Sequence, residues 1–141
     1  MPVHSDFFFC ASALVIGIVA GMRTLMAPAI FSLTLSRRPE LAPVTIPAQW
    51  FMLHGIAVIL GLGALGELVV DKLPRTPNRT SVGPLLARVV SGAITGAAIV
   101  EMGKINPWGG AALGAIGALI GALGGFHVRR FAGRKTGISD P

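Results

Sequence analysis

The chain has 141 residues, of which 52% are hydrophobic and 13% charged. With a mean hydropathy of +0.72, it has too little polar surface to cover a water-soluble globule of this size. Twelve Lys and Arg against six Asp and Glu give a net charge of +6, yet the basic residues stand at the ends of apolar runs and form no stripe interleaved with aromatics, which argues against nucleic acid and for lipid headgroups. The single cysteine, Cys10, excludes an intrachain disulfide and a multi-cysteine metal cage.

The first apolar run extends from Phe7 to Leu35. The residues before it include His4 and Asp6 but no Lys or Arg, so a retained membrane segment is expected rather than a signal peptide. As one straight helix it would reach about 43 Å against a hydrocarbon core of about 30 Å. Gly21, Arg23 and Pro28 supply a break, since proline removes a backbone donor and disfavours helix at the residue before it. Residues 36–49 hold Arg37, Arg38, Pro39, Pro43 and Pro47 and read as an external connection. Trp50 opens a second apolar segment to Val70. Ser81 is a candidate N-cap, with Pro84 in the first turn, for a third over 82–102. Trp108 opens a fourth, to Val128.

The expectation is an all-α integral membrane protein of one domain, 1–141, with four transmembrane helices (about 7–35 broken, 50–70, 82–102 and 108–128). Trp50 and Trp108 place the starts of two segments at the same membrane surface. Eight basic residues, namely Lys72, Arg75, Arg79, Arg88, Arg129, Arg130, Arg134 and Lys135, fall on one side, and four, Arg23, Arg37, Arg38 and Lys104, on the other. That bias predicts both termini in the cytoplasm.

Small residues form stripes: Gly110, Gly114, Gly117, Gly121 and Gly124 in the last segment, Ala13, Gly17 and Gly21 in the first, and Gly92 and Gly96 in the third. Such stripes let backbones approach closely within a chain or between copies in a homo-oligomer. The match of Val-Ile-Gly17-Ile-Val-Ala-Gly21 to Val-Ser-Gly92-Ala-Ile-Thr-Gly96 hints at two related hairpins.

Gly61, Gly63 and Gly66 satisfy the dinucleotide pattern G-x-G-x-x-G, but inside an apolar span with no preceding strand, so helix packing accounts for them and no nucleotide cofactor follows. His54 and His127 lack i, i+4 partners, and no metal site is assigned. Glu67 and Asp71 share one helical face, with Gly63 a turn before them. Glu67 lies inside its span, where a carboxylate costs about 2.5 kcal/mol or more unless paired or wet. Arg88, on the face that carries Gly92 and Gly96, is its expected partner. Two readings stand: a structural ion pair locking the hairpin, or a wet pocket that binds or passes a solute. Arg23 poses the same question beside the break, where transporters place sites on exposed backbone.

At Gly21-Met-Arg23, at Glu67-Leu-Val-Val-Asp71-Lys72-Leu-Pro74 and in the glycine-rich last helix, the chain resembles an uncharacterised bacterial family of small polytopic membrane proteins, a domain of unknown function. The resemblance implies a multi-pass protein of the bacterial inner membrane and no activity. Small fluoride channels also have four helices and a Gly-x-x-Arg first helix, but their second-helix asparagine and third-helix Phe-Thr-Thr-Phe-Ser type break are missing here. The expected function is a homo-oligomeric channel or transporter for an ion or small solute, with Arg23, Glu67, Asp71 and Arg88 as pathway or gate. The alternative is a structural or lipid-organising protein whose Lys72, Arg75 and Arg79 grip anionic headgroups. No nucleophile, base and orienter assemble from spacing, so no enzyme is expected.

Overall fold

A computed structural model describes residues 3–38, 40, 49–70 and 82–136. Asp71, Lys72, Arg75, Arg79 and the Ser81 cap lie outside the described residues. Among the described residues five α-helices follow one another, α1 (Val3–Met22), α2 (Met26–Arg37), α3 (His54–Val70), α4 (Val82–Met102) and α5 (Pro107–Thr136), with a short 3-10 turn at Trp50–Met52 before α3. Among the described residues there is no strand, and the all-α expectation holds.

Among the described residues two helices, Val82–Met102 and the Pro107–Gly125 part of α5, are long and apolar enough to cross a membrane. The expected four are thus two by this measure. The apolar stretches of α1 and α3, Asp6–Met22 and His54–Val69, are shorter, and the 12 residues of α2 reach only about 18 Å. The second segment is shortened because Trp50 opens a 3-10 turn and Leu53 is extended (φ −68°, ψ 121°) before the α-helix begins. The last starts one residue early, where the Asn106 side-chain oxygen accepts the Trp108 N–H at 3.1 Å and Pro107 takes the first helical position.

Glycine builds the centre. A Cβ on Gly17 or on Gly92 would run into the carbonyl of the same residue, Gly114, and one on Gly96 into Gly110 and Gly114. Gly21 lies against Ala118, while Gly117 and Gly121 lie against Leu14 and Ile18. The stripes expected on three helices therefore converge on one seam joining α1, α4 and α5, and the two similar glycine segments are alike because both face Gly114. Gly124 meets nothing and lies outside the seam.

These contacts fix the helix directions. Gly17 at Gly114 and Gly21 at Ala118 make α1 run with α5. The Phe9 ring on Gly103 and the Ser91–Thr24 hydrogen bond make α1 run against α4. Phe31 and Leu35 of α2 cluster with Ala98, Ile99 and Met102, so α2 runs with α4 and against α1. The break expected in the first apolar run is present at residues 23–25, and the chain turns back there instead of continuing in the same direction. A consequence is that α1 begins and α5 ends at opposite ends of the bundle, whereas the four-span expectation put both termini on one side. Trp50 and Trp108 do lie at one end, beside the α2 C-terminus and the α4–α5 turn.

The polarity of the packing is inverted relative to a water-soluble core. Ala13, Ala20, Ala64, Ala98, Ala118 and Ala122 are buried together with the glycines, while Ile59, Leu62, Leu65 and Val69 of α3, and Ile94, Ile116 and Ile120 of α4 and α5, are exposed. Small residues inside and large apolar ones outside suit a surround as apolar as leucine, and in water so large an apolar exterior would drive association.

Candidate functional site

The turn between α1 and α2 breaks the helical ladder in three places, and side chains from two other helices repair it. Arg23 still donates its N–H to the Val19 carbonyl at 2.9 Å. The next two amides leave the ladder. Thr24 N–H donates to Glu67 Oε1 at 2.8 Å and Leu25 N–H to Glu67 Oε2 at 3.0 Å. In a continued helix the carbonyl of Thr24 would accept from residue 28, but Pro28 has no N–H. Ser91 Oγ of α4 donates to that carbonyl at 2.6 Å instead. The ladder resumes with Ala29 N–H on the Leu25 carbonyl at 3.0 Å.

Glu67 is placed for this by the period of α3. Gly63 lies one turn before it on the same face, and Leu25 packs so closely there that its Cδ1 would stand 2.7 Å from an added Cβ. A carboxylate at the N-terminus of α2 also meets the positive end of the helix dipole, a gain of about 0.3 to 1 kcal/mol or more when partly buried. Each hydrogen bond to the charged group adds about 1.5 to 3 kcal/mol. A half-buried carboxylate with both oxygens on backbone amides no longer needs a cation.

The expected ion pair between Glu67 and Arg88 is accordingly replaced. Among the described residues no ion pair joins the two; both carboxylate oxygens accept from the amides freed by the break. Arg88 is buried at 6% exposure, on the face of α4 that carries Gly92 and Gly96, and stands one turn from Ser91. Its Nε, like Nη1 of half-buried Arg23, is closed off from solvent, and both residues have partners of their own. Of the four expected pathway or gate residues, Arg23 lies in the turn and Glu67 holds it, Arg88 stands one helical turn from Ser91, and Asp71 lies outside the described residues. Among the described residues no group of three or more His, Cys, Asp or Glu is placed to hold a metal.

Ser91 escaped sequence reasoning. Pro28 signalled that the Thr24 carbonyl would lack its helical donor, but which helix would supply a hydroxyl depends on the reversal. No protein-family description, curated protein or solved structure matches the chain.

Proposed function

We propose that the chain is a multi-pass protein of the bacterial inner membrane that moves an ion or small solute, with the Glu67-held break as its gate. The observation that carries this reading is the break itself, whose backbone is held by two side chains from other helices rather than by its own ladder. Loss of the Glu67 contacts would free two amides at once, and in an apolar surround each freed group costs several kcal/mol. That makes two arrangements of the turn, carboxylate seated or displaced, a natural pair of states. Broken helices at buried polar groups are a recurring site design in transporters.

The inverted packing supports the bilayer as surround, with α4 and α5 spanning and α1 and α3 crossing a locally thinner layer or tilted partners. The charge bias supports an orientation. Because the reversal moves Arg23 to the end that carries Arg88 and the end of α5, the eight-to-four split becomes nine to three, which directs the C-terminus to the cytoplasm and the N-terminus outside. The glycine seam fills the space between α1, α4 and α5, so a route would pass beside α2 and α3 or between copies in a homo-oligomer.

That same filled seam favours a second reading, a structural or lipid-organising membrane protein in which Glu67 is only a clamp. Flux into proteoliposomes, measured against a panel of small anions, cations and neutral solutes, separates the two. The transport reading expects at least one solute to move faster than into empty vesicles and Glu67→Gln to change that rate. Folded protein that moves none of them would support the structural reading.

A further inference from the structure

Beyond the break, the far end of α2 carries a groove of about 270 Å³ lined by Ile30, Leu33, Thr34, Arg37 and Arg38. We propose that it binds an anionic phospholipid, with the phosphate on Arg37 and Arg38 and the upper acyl chain along Ile30 and Leu33. The two arginines are exposed, and among the described residues neither guanidinium has an ion-pair or hydrogen-bond partner. Glu40, also exposed, pairs with neither. The Thr34 hydroxyl is committed to the Ile30 carbonyl at 2.8 Å, so the cations are the free polar groups of the groove.

Depth selects the occupant. Arg37 and Arg38 lie at the end of the bundle that carries Trp50 and Trp108, which are 60% and 80% exposed. Tryptophans so exposed favour the headgroup layer, which puts the two guanidiniums at phosphate level and the apolar side chains of Ile30 and Leu33 on the hydrocarbon side. The groove is open to its surroundings, so a molecule that seats only its headgroup and first methylenes there, and leaves its chains in the bilayer, fits it. Guanidinium meets phosphate through paired N–H donors.

The test uses the full chain in neutral detergent, titrated with phosphatidylglycerol, with phosphatidylcholine of the same acyl chains and with inorganic phosphate, and read by native mass spectrometry and by thermal shift. Saturable binding of one phosphatidylglycerol, preferred over phosphatidylcholine, is expected. One basic side chain at an anionic lipid surface is worth about fivefold in affinity, so Arg37→Gln with Arg38→Gln should weaken that binding on the order of thirtyfold. Lys104→Gln, in the α4–α5 turn at the same end of the bundle but outside the groove, should leave it in place. Leu33→Glu, which puts a carboxylate in the groove, is the second variant should the arginine pair prove hard to produce, and it should likewise weaken binding. Full preference retained in the variants would overturn the proposal. So would equal binding of phosphatidylcholine, or equal protection by inorganic phosphate, which would mark the occupant as a free anion.

Discussion

Glu67 Oε1 accepts the backbone N–H of Thr24 at 2.8 Å across 43 residues of sequence, and the carbonyl of that same Thr24 accepts the Ser91 hydroxyl at 2.6 Å. One peptide residue is thus held from both sides by α3 and α4, and the reversal of the first apolar segment depends on it.

The Ser91 contact exists because Pro28 cannot donate, and this yields a coupled prediction. Ser91→Ala should cost about 1 to 3 kcal/mol by leaving the Thr24 carbonyl unpaired. Pro28→Ala restores an N–H four residues on, so the same Ser91→Ala change made in that background should cost less. A double-mutant cycle from thermal or denaturant unfolding in detergent measures the difference, expected at about 0.5 kcal/mol or more. Strict additivity would mean that the hydroxyl does not replace the missing amide.

The glycine seam predicts opposite outcomes for two glycines of one helix. Gly114 is touched by the backbones of Gly17, Gly92 and Gly96, whereas Gly124 meets nothing. Gly114→Leu should force α1 and α4 off α5 and prevent folding or lower the melting temperature sharply, because backbone cannot yield as a side chain does. Gly124→Leu should leave the monomer's stability within about 0.5 kcal/mol of wild type. Equal melting curves for the two would show that the seam is not the packing core.

Much of this was legible in the sequence. Glycine spacing, the break near Arg23 and Pro28, the burial of Arg88 with Gly92 and Gly96, and the position of Gly63 one turn from Glu67 all follow from helical periodicity and proline chemistry. The reversal was not. A kink and a turn back both satisfy Gly21, Arg23 and Pro28, and only the packing of Phe31 and Leu35 on Ala98 decides between them. Arg88 was the evident partner for Glu67 by charge, but backbone amides carry no sequence signature, and two of them at a helix start compete well with a guanidinium.

Direction follows from that reversal. An alkaline phosphatase or fluorescent-protein fusion to each end, in intact bacterial cells, should report the N-terminus outside and the C-terminus in the cytoplasm. Both ends reporting the cytoplasm would require α1 to run against α5, contrary to the pairing of Gly17 with Gly114 and Gly21 with Ala118.

The clamp is tested most directly by amide hydrogen exchange at Thr24 and Leu25 in wild type and in Glu67→Gln. Both amides lie outside any helical ladder, so their protection has to come from the carboxylate. The glutamine keeps one acceptor but turns an N–H₂ donor towards the other amide. In wild type the two amides should exchange slowly, like those of α1. In the variant they should exchange faster by an order of magnitude or more, the worth of a hydrogen bond to a charged acceptor, while amides in the middle of α4 and α5 keep their rates. Fast exchange of Thr24 and Leu25 in wild type, or unchanged protection in Glu67→Gln, would contradict the clamp and with it the gate.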